Sequence, residues 1–591
     1  MLSVLLIYGV IFITTYWLGG GLLRLLGLNP SGADAILYSM TGIAVAGFYA
    51  QAWSIFGGVS AAAFTVYALL AFAAAVLLRA RGGRQASDRQ MRVRGVCGSR
   101  RQAPRIFARA TVCDSESAGR YAQAALAFAL VMIFAYAASR GYIHYDTDLY
   151  HAQSIHWIEK YGAVRGLGNL HTRLGYNSAA FPLTALFSFS FPGEQSYHAV
   201  SGYLALMLAL ESSRLFTQCR RLLSLRLLPS DFVRLSAMFY LFAVIDEIVS
   251  PASDYYMVCL AFYIFIRFLD DGEDDVNSND AAALHLDIVL CFLTVFTVTI
   301  KLSAVMILLI SLLTIAELLR RKDFRRIAVT AILCTGTAVP FFIRNVILTG
   351  YLVYPFPELD LFHVIWKVPA GVAASDAAEI AAYGKGITEP SHFGDRISVW
   401  LRPWFAAQAG VDRMAILAGA VLVIPAAVVL LLEIKRREQG AVRQLAFLGV
   451  CLACTVFWFV QAPLFRYGCV FVYSLAAFSA GVIVAAVFGK FRERTRRMLM
   501  RGFLLFSILF VLYKCVAVMR EGTLLREPGY LIRQKDYGTY PMEEYLIDGV
   551  KFYRPVSGDR SGYAPFPSTP TDRSAQVRMI GESVRDGFCV K

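Results

Sequence analysis

Charged residues are scarce in this chain, although a soluble protein needs them to cover its surface. Asp, Glu, Lys and Arg together make up 17% of the 591 residues, whereas hydrophobic residues make up 57%. Typical soluble domains carry about 25% charged residues. A water-soluble globule is therefore excluded, and so is a disordered chain, which would contain few hydrophobic residues.

Acidic residues are rarer than basic ones, at 42 against 57, and the net charge is +15. The sequence shows no groove-reading or base-stacking element, so the excess does not indicate nucleic-acid binding. If every basic cluster lies in the cytoplasm, the spans alternate consistently and the positive-inside rule is satisfied. The excess of basic residues therefore indicates which loops are cytoplasmic. The clusters lie in residues 79–120, 220–226, 320–326, 435–443 and 490–497.

Other signals are missing as well. The eleven cysteines are scattered and indicate no disulfide framework. Cys451 and Cys454 form a CxxC inside an apolar segment, which predicts small buried side chains rather than a metal or redox pair. There is no repeat of fixed period and no matched pair of Gly- or Pro-broken spans of the kind that inverted-repeat transporters show. The first apolar segment lacks a basic n-region and a cleavage site, which predicts an uncleaved span.

What the sequence has in abundance is apolar segments long enough to cross ~30 Å of hydrocarbon. They predict an all-α polytopic membrane protein with about fourteen transmembrane helices. The shorter segment 178–192 contains Pro182 and predicts an interfacial or half-inserted helix. The predicted spans are 1–23, 36–56, 59–79, 121–140, 196–217, 231–250, 253–269, 284–300, 302–319, 326–348, 413–433, 442–461, 465–488 and 499–519.

This topology divides the chain into a transmembrane domain and a polar C-terminal segment. The long connections that lack basic clusters are expected outside the cytoplasm. The predicted parts are a transmembrane domain 1–519, a disordered basic cytoplasmic linker 80–119, external loops 141–195 and 349–412, and an external cap 520–591 with a strand near 550–553.

The first external loop has an unusual composition for a membrane protein. Residues 142–178 read YIHYDTDLYHAQSIHWIEKYGAVRGLGNLHTRLGYNS and hold four of the eight histidines, His144, His151, His156 and His171. Acids beside cations at one membrane level suit a reaction in which a base activates a nucleophile while cations hold an anionic phosphate. The acids and cations predicted at this level are Asp146, Asp148, Arg173, Asp254, Lys301, Arg344 with its neighbour Asn345, and Arg466.

Several of these residues also have structural interpretations. Asp146 or Asp148 is able to cap the helix predicted from residue 149 to residue 160, and Asp146 is the better placed of the two. Asp148 is favoured for the site because His151, three residues on, would hydrogen-bond it along one helical face. With His156, this pair would also offer metal ligands, although the spacing of the two histidines is poor for one face. Long basic side chains such as Arg344 and Arg466 also snorkel to lipid head groups.

The loop resembles a group of bacterial multi-pass proteins that share a YD…YH…I.W…YG…GLGNLH.RLG.NS block. Further shared elements are SPASD at 250–254, IKLSA at 300–304, IRNVILTGYLVYPFP at 343–357 and FRYG at 465–468. A tail with RSGYAPFPSTP…GESVRDGF also recurs. The group in turn resembles the GT-C superfamily of integral-membrane glycosyltransferases. This chain departs from that superfamily in its D-x-D acids and in three predicted spans before the loop, where one is usual.

The resemblance implies an inner-membrane glycosyltransferase of the bacterial cell envelope, with its site facing the periplasm. The donor would be a polyprenyl-phosphate-linked sugar, and the acceptor a hydroxyl of a glycan, lipid or protein; no metal or other cofactor is expected. The alternatives are a transporter or flippase of lipid-linked or anionic solutes, and an O-antigen polymerase or ligase type enzyme. Asp146 and Asp148 match the catalytic acids, and the predicted substrate-binding residues are His151, Asn169, His171, Arg173, Asp254, Lys301, Arg344, Asn345 and Arg466.

Overall fold

The protein is described by a computed structural model that covers residues 1–96, 110–141, 143–191, 193, 195–217, 227–273, 280–438, 440–521 and 528–591. The described helices are α1 (Leu2–Leu25), α2 (Ala35–Phe56), α3 (Ala61–Val96), α4 (Ala110–Arg140), α5 (Ala152–Lys160), α6 (Ala180–Leu186), α7 (Val200–Ser212), α8 (Arg214–Thr217), α9 (Pro229–Ala243), α10 (Ser253–Glu273), α11 (Asp280–Ile300), α12 (Leu309–Arg320), α13 (Phe324–Thr349), α14 (Ala370–Gly384), α15 (Ile397–Ala407), α16 (Gly410–Lys435), α17 (Ala441–Gln461), α18 (Phe465–Phe488) and α19 (Glu493–Glu521). The strands are β1 (Met542–Ile547), β2 (Val550–Pro555), β3 (Val577–Met579) and β4 (Phe588–Val590).

Eleven helical segments within the described residues are long and apolar enough to cross a membrane. They correspond to eleven of the fourteen predicted spans, and they confirm a helical chain with many candidate spans. One of them, Leu302–Arg320, begins as a 3-10 helix before it continues as α12. Cys451 and Cys454 lie buried in α17, as the CxxC pattern predicts.

Three predicted spans, 196–217, 231–250 and 253–269, differ from these eleven. They correspond to α7, α9 and α10, of which α7 has 13 residues and α9 has 15, shorter than the roughly 20 that a bilayer requires. α10 is longer but carries Asp254 near its start and Arg267 near its end. α10 is almost entirely buried and packs against α7, α9, α11, α17 and α18. These helices are apolar because they form the centre of the bundle.

Close backbone contact joins the first two helices. A Cβ atom on Gly19 would lie 1.9 Å from the carbonyl oxygen of Tyr38, and one on Gly42 would lie 1.9 Å from that of Thr15. Small residues at such positions allow two helices to approach within van der Waals contact of their backbones. α1 and α2 therefore form a tightly packed pair.

The predicted basic linker differs from a fully disordered segment at both ends. α3 continues to Val96 and α4 begins at Ala110, while residues 97–109 lie outside the described residues. Ala, Arg and Gln, which are frequent here, are good helix formers, and this accounts for the helical extensions. The predicted cytoplasmic loop 220–230 is described only from residue 227 onward.

The C-terminal segment forms a small β-containing cap, as predicted. β1 and β2 pair as an antiparallel hairpin through Asp548 and Gly549, both of which have positive φ, and β3 pairs with β4. Positive φ at both turn residues is typical of the tight turns that match strand twist. Phe552 and Phe588 from the cap pack in one buried cluster with Trp157 from the first long loop.

All three long connections meet at one end of the bundle. Gln153 Nε2 donates to the carbonyl of Gly562 at 3.1 Å, and Asn169 Nδ2 donates to that of Trp366 at 2.9 Å. We call this end, formed by residues 141–195, 349–412 and 528–591, the loop face. The described basic clusters lie at the other ends of the same helices, which we call the opposite end. The short helix α6 lies buried beneath the loop face.

Candidate functional site

A single π-helical turn, Thr147–His151, leads from the end of α4 into α5. π turns are rare and occur frequently at functional sites. Asp146 stands directly before this turn, and its side chain makes no capping hydrogen bond to it. The alternative that Asp146 caps the helix is therefore wrong, and its carboxylate interacts with other elements instead.

Arg466, at the start of α18, holds the carboxylate of Asp146. Its Nη2 donates to Asp146 Oδ2 at 2.6 Å, and its Nη1 lies 2.6 Å from His144 Nε2. Its Nε is buried, lies 3.7 Å from Asp254 Oδ2 and has no hydrogen-bond partner among the described residues. One donor of this guanidinium thus makes no hydrogen bond among the described residues, although it is shielded from solvent.

Asp254 and Lys301 form the neighbouring ion pair. Lys301 Nζ donates to Asp254 Oδ1 and also lies 3.8 Å from the centre of the Tyr467 ring. Lys301 stands at the turn after α11, and Asp254 stands in the first turn of α10. The sequence predicts that Asp146, Asp254, Lys301 and Arg466 lie at the same depth in the membrane. In the structure these four residues are joined by direct contacts.

Arg173 completes the cluster on the side of the second long loop. Its Nη1 lies 3.8 Å from Asp146 Oδ1, and its Nη2 lies 3.7 Å from Glu379 Oε1. The Glu379 side chain is 62% exposed at the rim, whereas that of Asp146 is 16% exposed. We call Asp146, Arg173, Asp254, Lys301 and Arg466 the loop-face cluster. Three cations face two carboxylates within it, and Glu379 at the rim is a third carboxylate in contact with it.

The charge states in the loop follow from this arrangement. Burial opposes ionisation of Asp146, but Arg466, with smaller contributions from His151 and His144, outweighs burial and lowers the pKa of the carboxyl below its ordinary value. Burial, together with Arg466, lowers the pKa of His144. Burial also lowers the pKa of His151 to about 3. Near neutral pH the site therefore holds an ionised Asp146 beside two uncharged histidines.

Arg344 lies apart from this cluster, although the sequence predicts it at the same level. It is buried in α13, where its Nε donates to Asn177 Oδ1 at 3.1 Å and its Nη1 donates to Ser54 Oγ. No carboxylate among the described residues forms an ion pair with it. A buried guanidinium without a counter-charge is costly, so this position favours an anionic ligand.

Asp148 has a different environment from Asp146, two residues earlier. Its Oδ1 accepts from Gly538 N at 2.9 Å, and its Oδ2 accepts from Tyr540 Oη at 2.7 Å. The predicted hydrogen bond with His151 is wrong: the π turn places His151 Nδ1 3.1 Å from Thr147 Oγ1 instead. Asp148 thus anchors the C-terminal cap, and the geometry favours Asp146 as the acid of the site.

The other predicted residues occupy structural positions around the site. Asn169 Nδ2 donates to carbonyls of Trp366 and Phe588 and so joins the first loop, the second loop and the cap. His171 stands next to Arg173 at the start of a 3-10 turn, and burial lowers its pKa to about 3. Asn345 is buried in α13, and its Nδ2 has no hydrogen-bond partner among the described residues.

Two acids of α14 also border the site, and sequence reasoning missed them. Asp376 Oδ1 accepts from Tyr176 Oη at 2.9 Å, and burial raises the pKa of this carboxyl. Glu379, one turn later, pairs with Arg173. The signal in the sequence was the i, i+3 spacing of two acids in an otherwise alanine-rich helix, which places both on one face.

Among the described residues, no three His, Cys, Asp or Glu side chains are grouped so that they could hold a metal ion. His156, one of the candidate metal ligands, stacks on Tyr563 with ring centres 4.0 Å apart, and its Nδ1 lies 3.0 Å from the Tyr563 carbonyl. It therefore belongs to the interface with the cap.

Comparison with known proteins assigns the chain to a family. None of the curated proteins matches this chain. One family matches residues 1–89 and 109–473, which include every residue of the loop-face cluster and Arg344, whereas the C-terminal cap lies outside the matched residues. The chain belongs to the family described as "Domain of unknown function (DUF8201)".

Proposed function

We propose that the protein is a membrane glycosyltransferase that moves a sugar from a polyprenyl-phosphate-linked donor to a hydroxyl of a glycan, lipid or protein. The single observation that carries this proposal is the contact between Asp146 and Arg466 beside Lys301 and Asp254. An ionised carboxylate thus lies next to two partly exposed cations, Arg466 and Lys301. A base and an anion site are thus side by side, as transfer from a phosphate-linked donor requires.

In this mechanism the acceptor oxygen attacks the anomeric carbon while its proton passes to Asp146. A carbon–oxygen bond forms to the acceptor, and the bond from the sugar to the phosphate oxygen breaks. The electron pair leaves with the lipid phosphate, whose charge the cations stabilise. Losing one well-placed donor of this kind costs about 2.7–4 kcal/mol in comparable sites.

The geometry also suggests how the base is activated. Arg466 lowers the pKa of Asp146, which keeps the carboxylate ionised but makes it a weak base. A phosphate that binds the partly exposed guanidinium of Arg466 would draw it away from Asp146. Donor binding would therefore raise the basicity of Asp146 only when a substrate is present.

Arg344 supports an anionic substrate by an independent route. In addition to the uncompensated charge of Arg344, the buried Gln51 side chain and Asn345 Nδ2 lack hydrogen-bond partners among the described residues. Gln51 stands one turn before Ser54, which contacts Arg344. Unsatisfied polar groups of this kind inside an apolar bundle require a ligand or water to satisfy them.

A transporter of anionic lipid-linked solutes is the second candidate, and the burial of Arg344 within a candidate span favours it. Intramembrane cations often mark a substrate pathway. A glycosyltransferase releases free prenyl phosphate from the donor, whereas a transporter leaves the donor intact. A glycosyltransferase cleaves the donor in detergent solution, where a transporter has no membrane across which to act.

The test uses purified protein with short-chain prenyl-phosphate-linked hexoses and pentoses and measures released prenyl phosphate. Asp146→Asn is expected to lower the rate about 10²–10⁴-fold, the usual contribution of a general base. Asp246→Asn is the matched control, since Asp246 pairs with Arg140 at 2.9 Å, outside the loop-face cluster. Wild-type rates in Asp146→Asn, or no cleavage of any donor by the wild type, would contradict the proposal.

The bacterial inner membrane and a periplasmic loop face form part of the same proposal. Lys160 is exposed on the loop face, so Lys160→Cys reports its side of the membrane. In a background without native cysteines, an impermeant thiol reagent is expected to label this position in spheroplasts without lysis. Labelling only after lysis would place the loop face in the cytoplasm.

A further inference from the structure

A cavity of about 500 Å³ lies at the opposite end of the bundle, far from the loop-face cluster. It is bounded by the start of α9, the ends of α16 and α18, and the start of α19. One wall is apolar and consists of Leu228, Val429, Leu432, Val482, Ala485 and Ala486. A cavity at the ends of membrane helices with such a wall faces the boundary between lipid tails and head groups.

Three cations from three different helix ends line the rest of the cavity. Arg436 follows α16, Lys490 follows α18, and Arg496 lies in the first turn of α19. Within the described part of the chain none of the three forms an ion pair, and Arg496 Nε is buried without a hydrogen-bond partner. By contrast, Arg443 at the same end is held by Asp287 at 2.6 Å.

Two carboxylates, Glu433 and Glu438, also line the cavity. The cations therefore exceed the acids by one. The oxygens of a phosphodiester would accept hydrogen bonds from the cations, and hydroxyl groups on the same ligand would donate to the carboxylates. This combination of donors and acceptors fits a phosphate bearing a glycerol group better than a bare anion.

An exposed apolar strip leads from the cavity along α16. Leu432, Val428 and Ile424 follow one another at four-residue intervals, and their exposed fractions are 49%, 50% and 70%. Residues spaced by four lie on one helix face. An acyl chain laid along this strip would place its head group at Leu432, on the wall of the cavity.

We propose that the cavity is a binding site for an anionic phospholipid of the phosphatidylglycerol type. Its phosphate contacts Arg436, Lys490 and Arg496, its glycerol hydroxyls contact Glu433 and Glu438, and one acyl chain follows the strip on α16. Basic pockets between transmembrane helices bind anionic lipid head groups in this way. The site is independent of the proposed reaction at the loop face.

The test measures thermal unfolding and native mass spectra of delipidated, detergent-purified protein. Four probes are titrated separately: phosphatidylglycerol, phosphatidylethanolamine with the same chains, glycerophosphoglycerol and inorganic phosphate. Only phosphatidylglycerol is expected to bind at low concentration and raise the unfolding temperature. Equal binding of phosphatidylethanolamine would overturn the anionic specificity, and equal binding of either chain-free probe would overturn the lipid assignment.

Variants then locate the site. The triple variant Arg436→Gln, Lys490→Gln and Arg496→Gln is expected to weaken phosphatidylglycerol binding about 100-fold, since each cation near a membrane surface contributes roughly fivefold. The control triple variant Arg437→Gln, Arg492→Gln and Arg494→Gln removes the same charge from exposed residues outside the cavity lining. Should the first triple variant not fold, Lys490→Gln alone, at an exposed position, is expected to weaken binding fivefold. Equal binding by the variants and their controls would overturn the assignment.

Discussion

The two ends of the bundle carry ionic clusters of different construction. In the loop-face cluster the side chains of Lys301, Arg466 and Arg173 are 19%, 30% and 32% exposed. At the opposite end the side chains of Glu211 and Arg234 are fully buried, and that of Arg267 is 4% exposed. All three loop-face cations are partly exposed, whereas at the opposite end packing encloses Glu211, Arg234 and Arg267, and exposure is confined to outer members such as Arg214 and Asp34.

The cluster at the opposite end is also closely compensated. Glu211 lies 3.2 Å from Arg214 and 3.7 Å from Arg267, and Arg267 further donates to the carbonyls of Ser31 and Gly32. Arg234 donates to Asp270. Each arginine there has a carboxylate, whereas Arg344 has none among the described residues. Burial with compensation indicates a structural clamp, and partly exposed cations beside an uncompensated Arg344 indicate a site for an anion.

The sharpest way to test this contrast is to remove a matching acid from each end. Glu211 and Asp254 each face two cations. Glu211→Gln is expected to lower the free energy of unfolding by about 3 kcal/mol, because Asp34 is then the one carboxylate left facing both Arg214 and Arg267 among the described residues. Asp254→Asn is expected to lower it less, because water reaches Lys301 and Arg466. Thermal unfolding in one detergent measures both, and an equal or reversed order would remove the distinction between the clusters.

Arg344 and Arg234 sharpen the comparison further, as both are buried arginines. Arg344→Lys is expected to weaken donor binding about tenfold, because a lysine keeps the charge but loses the planar fork that matches a phosphate. Arg234→Lys should change the unfolding temperature and leave donor affinity unchanged. Binding of a short-chain prenyl phosphate, followed by calorimetry, makes the measurement. Wild-type affinity in Arg344→Lys would reduce Arg344 to a structural residue.

From the sequence one could predict at which end of the bundle the charged residues of the loop-face cluster lie, but not which residues they contact. The positions of Asp254, Lys301 and Arg466 at the ends of apolar segments were enough to predict that they share one end of the bundle. The pairing of Arg466 with Asp146 spans 320 positions in the chain, and no local pattern encodes it. Periodicity also could not separate α7 and α10, buried at the centre, from helices that face lipid, because both kinds are apolar.

Asp148 shows the same limit and leads to the next expected effect. Its partners, Gly538 and Tyr540, lie about 390 positions away in a cap that gives only weak sequence signals. Asp148→Asn is therefore expected to loosen the cap by about 1–2 kcal/mol, the cost of weakened hydrogen bonds to a buried acceptor. Limited proteolysis should cut residues 528–591 faster, while transfer falls less than in Asp146→Asn. A loss of activity equal to that of Asp146→Asn, with an intact cap, would give Asp148 the role of base instead.

The smallest expected effect is a shift in pH dependence, which tests whether Arg466 sets the charge of Asp146. Because Arg466 lowers the pKa of Asp146 despite burial, the ionised form persists below the ordinary range of about 3.9. At low donor concentration, where the rate reports the free enzyme, transfer should therefore stay constant from neutral pH down through that range and fall only as the pH drops through the lowered pKa. The contribution of the Asp146–Arg466 pair to stability has the same sign: it is present above the ordinary pKa and lost as the pH falls through the lowered pKa.

Arg466→Gln should move the acid limb of the residual activity to higher pH, since burial then acts on Asp146 with weaker compensation. Arg140→Gln, which removes an arginine from the neighbouring pair with Asp246, serves as the control and should leave the limb unchanged. An acid limb that stays in place in Arg466→Gln would show that a different group carries the proton.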